Sequence, residues 1–274
     1  MTPALTLLYV PAERPDRVAK ALASDADVVL VDLEDAVAPV QKDAARDNAM
    51  RLLADVPASR PVQVRINHPD TPWHAADVAA VAALPTWVGA RLPKVESPLD
   101  VRSHADALPG RELHPLIESA LGVERALEIA LASPQTASLG LGEADLRSDL
   151  RLADEAGLTW ARSRVVNAAR AARLPPPAMS VYANVRDLEG LAESCRAGRA
   201  LGFRGRTAIH PVQLPTIRAA FLPTAEEVAR AREVLSRMDG ATQAGVGALA
   251  LADGTFLDVA MRDQALAVLA LVSD

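Results

Sequence analysis

The sequence predicts a single (β/α)8 barrel followed by an extra C-terminal helical tail, and three observations carry that expectation. Eight short β-rich runs alternate with stretches of helical apolar spacing. Several of the runs are apolar at consecutive positions instead of alternating, as parallel strands buried on both faces are. The 274 residues suit a barrel of roughly 250 residues.

The expected strands are Leu5–Val10, Val28–Leu33, Val62–Ile66, Trp87–Leu92, Glu112–Ile117, Ala137–Leu141, Met179–Tyr182 and Thr207–Ile209. Ala-rich segments such as Asp16–Ala23, Ala44–Ala54, Ala75–Ala83 and Val123–Ala132 read as helices between them. The proline cluster Pro175–Pro177 directly precedes the seventh run and reads as a loop within the domain. After the eighth run come a helix over Ala225–Met238, a loop with several glycines over Gly240–Gly247 and a last helix over Val259–Val272. The expected division is therefore a barrel over residues 1–222 and a helical extension, a lid of the same domain, over 223–274. An open doubly wound sheet is the rival fold. It usually carries a glycine-rich phosphate loop after its first strand, and YVPAERPD is not one.

Composition narrows the function. Hydrophobic residues make up 50% of the chain and aromatics 3%, so a large core of small aliphatic side chains is available. The net charge is −6 and the 29 basic residues are scattered. No run of them forms a nucleic-acid footprint, and an acidic surface disfavours anionic membranes. No apolar run reaches the roughly 20 residues that span a bilayer, and no secretory leader is legible, so the expected location is the cytoplasm. The single cysteine, Cys195, excludes an intrachain disulfide and reads as a buried thiol in a helix.

The informative pattern is where the polar residues fall. A parallel barrel carries its chemistry at the C-terminal ends of its strands. There the sequence places Asp32, Glu34 and Asp35 after the second strand, Arg65 and Asn67 on the third, and Lys94 and Glu96 after the fourth. Glu118 follows the fifth strand, Glu143 and Asp145 the sixth, and His210 the eighth. This rim holds more acids than bases. Carboxylates converging on a partly dry cleft would repel and protonate, and a divalent cation resolves the conflict. Carboxylates without thiolates or paired histidines favour a hard ion, magnesium or manganese. The competing reading, that some of these acids only cap the helices that follow, stays open for Glu143 and Asp35.

Seven segments occur in order: VPAERPDRVAKA, VVLVDLEDAV, VRIN, LPKVES, IESALGV, GLGEADL and GFRGRTAIHPVQ. Together they resemble the HpcH/HpaI aldolase and citrate lyase beta-subunit family, on its CitE-like side, over nearly the whole chain. The resemblance implies that Glu118 and Asp145 are magnesium ligands and that Arg65 holds a substrate carboxylate. Glu118 and Arg65 would thus be both catalytic and substrate-binding. Around them, Asp32, Glu34 and Asp35 are expected to order metal waters and to hold Arg65 or Lys94, with a plain buried ion-pair partner as the competing role for Lys94. The resemblance places Arg14 near the phosphates of coenzyme A. The tail segment ADGTFLDVAMRDQAL is similar to the family's lid motif. That carries Asp258 over as an acid reaching a neighbouring subunit's site, with an N-cap of the last helix as the competing role. His210, before Pro211, is expected to fix a turn.

The resemblance further implies a magnesium-dependent carbon–carbon lyase working by reversible retro-Claisen cleavage. Its substrate would be a 3-hydroxy-carboxyacyl thioester of the citryl, malyl or citramalyl kind. The products would be a 2-oxo acid such as oxaloacetate, pyruvate or glyoxylate, and an acyl thioester on coenzyme A or an acyl-carrier protein. A homotrimer and a complex with a carrier protein go with the family. The alternatives are aldol cleavage of a free hydroxy-oxo acid, and a barrel kept as a binding or regulatory subunit.

Overall fold

The computed structural model describes residues 4–243, 249–250 and 256–272. Residues 244–247 of the expected glycine-containing loop and the first four residues of the lid-like motif lie outside the described residues, while residues 240–243 of that loop continue the preceding helix. The chain divides into two compact units, Ala4–Arg218 and the segment from Ala219 onward.

The first unit alternates strands and helices as its periodicity requires. Its order is β1 (Thr6–Pro11), α1 (Pro15–Leu22), β2 (Val28–Asp32), α2 (Lys42–Leu53), β3 (Val62–Arg65), α3 (His74–Ala83), β4 (Val88–Leu92), α4 (Pro98–Ala107) and β5 (Leu113–Ile117). Then follow α5 (Ala120–Glu124), α6 (Ala126–Ala130), β6 (Gly140–Leu141), α7 (Glu143–Asp149), α8 (Thr159–Ala171), α9 (Leu188–Ala200), β7 (Arg206–Ala208) and α10 (Leu214–Phe221). The strands form one parallel seven-stranded sheet in the order β6-β5-β4-β3-β2-β1-β7.

Every residue of β2, β3, β4 and β5 is buried. β2 is accordingly apolar from Val28 to Val31, whereas β3, β4 and β5 bury Gln63, Arg65, Arg91 and His114 among their apolar residues. The helices cover the sheet through small residues at helical spacing, as in α2, where Ala45, Ala49 and Leu53 are buried. Where the chain must start a helix sharply, the local chemistry is present. Ser97 and Asp100 form a reciprocal capping box ahead of α4, with Pro98 in its first turn.

Two expectations change. The seventh expected strand, Met179–Tyr182, is reduced to a single parallel bridge between Met179 and Arg206. Met179 donates its N–H to Gly205 and accepts from Thr207, at 2.9 and 3.0 Å, so the pairing is parallel but one residue long. The helix expected over Val123–Ala132 is two short helices joined at Arg125, whose φ of −93° and ψ of 11° leave the helical region.

The second unit contains α11 (Ala225–Gln243), the two-stranded antiparallel pair β8 (Leu249–Ala250) and β9 (Phe256–Leu257), and α12 (Val259–Leu269). Ala231, Val234 and Ala265 form its buried centre, with Leu235, Met238, Met261, Val268 and Leu269 against them. Among the described residues no helix is long and apolar enough to cross a membrane.

Candidate active site

Strand order turns a scattered set of residues into a site. β2, β3, β4, β5 and β6 are consecutive neighbours. Their C-terminal ends therefore bring Asp32 and Glu34, Arg65, Lys94, Glu118 and the start of α7 side by side. Register completes the placement, because Asp32 pairs with Arg65 and Arg65 with Arg91 across adjacent strands. Cross-strand partners share a face, so these side chains meet.

Arg65 is the hub. Its Nε donates to Asp32 Oδ1 at 2.7 Å and its Nη2 to Asp32 Oδ2 at 2.6 Å, a two-point fork between buried groups. Its Nη1 lies 2.9 Å from Glu34 Oε2 and 3.6 Å from Asp35 Oδ2. Glu34 Oε2 is buried yet makes no hydrogen bond among the described residues. The 2.9 Å contact is thus an ion pair of poor alignment. With Asp32 on the Nε side, the end of the guanidinium keeps one hydrogen on each Nη for another carboxylate. Burial opposes the charge on Arg65, but the Asp32 bonds and charge, with Glu34, override it and raise its pKa further.

Lys94 ties the two halves of the site. Its Nζ donates to Glu34 Oε1 and lies 3.4 Å from Asp35 and 3.7 Å from Asp145. Its backbone N–H donates to Glu118 Oε2 at 2.9 Å. The residue sits at φ +51°, the left-handed region that side chains with a Cβ rarely adopt. Burial opposes its charge, and the bond and charge of Glu34 outweigh that, so the ammonium pKa is raised. Glu34 is raised as well, by burial, which Arg65 and Lys94 only partly offset.

Glu118 is the most perturbed acid. Burial first, and the charge of Glu34 second, push its carboxyl up to about 7. Its Oε1 lies against Gly142, where an added Cβ would come within 2.1 Å. Glycine is thus required after β6 for Glu118 to hold this position. Asp145, in the first turn of α7, is partly exposed.

The residues fit a hard cation. Among the described residues no three or more His, Cys, Asp or Glu side chains form a metal-holding group, so a protein cage of the zinc or calcium kind is not built here. A pair of carboxylates with the rest of the shell left to water and ligand is what magnesium takes. Glu118 Oε2 accepts the Lys94 backbone N–H and Asp145 Oδ2 lies 3.7 Å from Lys94 Nζ, so the two acids stand at opposite ends of one residue, and a carboxyl raised to about 7 by burial and a neighbouring negative charge is the one that gains most from a cation.

The remaining expected residues separate. Glu143 accepts a fork from Arg162 at 2.8 and 2.7 Å and helps to hold α8. His210 accepts the N–H of Val212 at 3.1 Å and fixes its turn. Arg14 is exposed and paired with Asp16 at 3.3 Å. Asp258 caps α12, accepting from the N–H of Met261 at 3.1 Å.

Residues without a motif signal also shape the site. The buried Lys42 ammonium donates to Leu33 O, Glu34 O and Asn67 Oδ1, each at 2.7 Å, and so anchors the backbone that carries Glu34. Asn67 in turn donates to Asp77 Oδ2 at 2.6 Å. Beside this network a recess of about 400 Å³ opens between Glu34 and Trp73. Below Arg65, buried Arg91 spends Nε and Nη2 on Gln63 Oε1 at 3.0 and 2.8 Å. Nothing in a single sequence marks a strand-interior Gln or a helix-start Lys as part of such a network.

The family profile described as HpcH/HpaI aldolase/citrate lyase matches residues 5–211. The chain belongs to this family. A curated relative, a (3S)-malyl-CoA thioesterase from Cereibacter sphaeroides, is 36% identical over 93% of this chain and 90% of its own length. Among solved structures, CitE from Mycobacterium tuberculosis in complex with magnesium, acetoacetate and coenzyme A superposes with a TM-score of 0.84 at 34% identity, covering 98% of both chains. The citrate lyase beta subunit of the same organism, complexed with oxaloacetate and magnesium, gives 0.70 at 36% identity, over 80% of this chain and 97% of that one. The α/β fold of the family protein, with its parallel sheet curled as a half-barrel, thus resembles CitE. Its relatives are enzymes of lyase and aldolase type.

Proposed function

We propose that this family member is a magnesium-dependent carbon–carbon lyase acting on a 3-hydroxy-carboxyacyl thioester of the citryl, malyl or citramalyl kind. The observation that carries the reading is the pairing of a guanidinium held along one edge by Asp32, its outer Nη1 2.9 Å from Glu34, with a buried carboxyl raised to about 7 nearby. Glu118 and Asp145 are the residues that would hold the ion. When bound, magnesium supplies Lewis-acid stabilisation of oxygen as its charge grows. Manganese suits the same donors.

Arg65 receives the substrate carboxylate on its outer Nη edge and orients the 3-hydroxy group. Asp32 keeps the guanidinium charged and aimed, and Lys94 neutralises Glu34 so that three acids sit near one another. The hydroxyl proton leaves to a base as the C–C bond breaks, giving a 2-oxo acid and an acyl thioester enolate that is then protonated. Asp258 is the proposed proton carrier, delivered with residues 223–274 as a lid to a neighbouring copy. Arg14 is proposed for the coenzyme A phosphates. A barrel closed through the Met179 segment and a homotrimer belong to the same reading. The complexes of the CitE relatives with magnesium, coenzyme A, acetoacetate and oxaloacetate support the ligand set.

A second reading, hydrolysis of the thioester to the free hydroxy acid and coenzyme A, is favoured by the relative named a malyl-CoA thioesterase. One assay separates them. Malyl, citramalyl and citryl thioesters of coenzyme A are incubated with protein and magnesium, and both products are quantified. A lyase releases 2-oxo acid and acyl thioester in equal amounts. A thioesterase releases free thiol and no 2-oxo acid. If Glu118→Ala keeps full magnesium-dependent turnover, the site assignment is wrong.

A further inference from the structure

Asp32 and Glu34 account for the edges of the Arg65 guanidinium but not for its flat face. Arg65 Cζ lies over the Tyr9 ring, 4.9 Å from its centre. Tyr9 comes from β1, one strand beyond β2 in the sheet. It is level with Leu30, and Leu30 with Gln63, so its ring sits one layer below Arg65. The hydroxyl makes no hydrogen bond to another described residue. The ring face is therefore the part of Tyr9 in use.

This face does something that Asp32 does not. The two hydrogen bonds from Nε and Nη2 to Asp32 lie along one edge of the guanidinium, and a tilt of the plane about that edge is not opposed by Asp32. The outer Nη1 end lies off that edge, so such a tilt swings it away from any carboxylate it should meet. The poorly aligned contact with Glu34 does not stop the swing. The Tyr9 ring beneath Cζ opposes it, because a desolvated guanidinium is attracted to an aromatic face.

We propose that Tyr9 is a positioning residue whose ring face holds the outer edge of Arg65 toward the substrate carboxylate. This rests on the assignment of Arg65 as the carboxylate receptor. The ring acts through Arg65 and touches no reacting atom.

The test keeps the shape of residue 9 and changes only the electrostatics of its face. Tyr9→Phe is compared with variants carrying mono-, di- and trifluorinated phenylalanine at the same position. Fluorine drains the negative face of the ring without altering its packing. Oxaloacetate affinity in the presence of magnesium, magnesium affinity alone and thermal unfolding are measured for each. Tyr9→Phe should stay within about twofold of wild type for oxaloacetate. Affinity should then fall stepwise with fluorination, by about fivefold at the trifluorinated ring, while magnesium affinity holds steady. A flat series overturns the proposal, as does a Tyr9→Phe variant that already shows the whole loss, since the hydroxyl would then be the working group. Wild-type protein that binds no oxaloacetate with magnesium present refutes the reading of Arg65 itself, and this proposal with it.

Discussion

The raised carboxyl of Glu118 makes magnesium affinity depend on pH in a range where ordinary carboxylates are fully ionised. With a pKa of about 7, the fraction able to bind a cation is about one in eleven at pH 6 and about ten in eleven at pH 8. The apparent dissociation constant should therefore rise about tenfold between pH 8 and pH 6. An unperturbed glutamate near 4.3 would give almost no change over that interval. At pH 7, binding should release about half a proton from this group.

The same shift sets the pH dependence of stability without metal. The folded protein holds the Glu118 proton up to about 7, whereas the unfolded chain gives it up near its ordinary value. Stability from this group is thus present at low pH and lost as pH rises from about 4.5 to 7, by about 3 kcal/mol at most. Calorimetric titration with magnesium at pH 6, 7 and 8, in buffers of different ionisation enthalpy, measures both the constant and the proton count. A dissociation constant that is flat between pH 8 and pH 6 would show that the buried carboxyl is not the ligand.

Three further expectations follow from the same geometry. His114 is held neutral by burial and by the charge of Arg91, with its pKa lowered to about 3. Its contribution is present above the unfolded value and lost as pH falls from about 6.5 toward 3, roughly 1.5 kcal/mol between pH 6.5 and pH 5; denaturant titrations should show that slope, and a His114→Gln variant that folds should lack it. Gly142→Ala places a Cβ 2.1 Å from Glu118 Oε1, so the protein should fold while magnesium affinity drops by more than about tenfold; unchanged affinity would mean that Glu118 need not lie against residue 142 to bind. Asp32→Asn breaks a buried two-point ion pair with Arg65 and should lower unfolding stability by about 3 kcal/mol; a loss under about 1 kcal/mol by urea unfolding would mean that Glu34 replaces it.

Much of this protein was legible in its sequence. Period and apolar runs placed most strands within a residue or two, because a strand buried on both faces is mostly apolar. β2, apolar over Val28–Val31, is the clear case. The acids, Arg65 and Lys94 could be picked out because chemistry in such folds collects at strand C-termini. The Met179 segment was misread as a full strand because β-rich composition does not report how many partners a short run will find. The Val123–Ala132 helix was overextended for the same kind of reason: apolar spacing persists through Arg125 while the backbone turns out of the helix there.

Sequence alone settled which chemical groups are available: a surplus of carboxylates, a strand-borne guanidinium at Arg65, a lone thiol and a glycine after β6. It did so because those properties belong to residue types and local spacing. Only the tertiary structure decided what each group experiences. Burial and proximity to Glu34 lift Glu118 to about 7, Asp32 claims one edge of Arg65 while the Tyr9 ring lies under its Cζ, and Lys42 ties the loop of Glu34 to Asn67, 25 positions away. Those effects are set by distance and dielectric between residues tens of positions apart, and no local pattern in the chain encodes them.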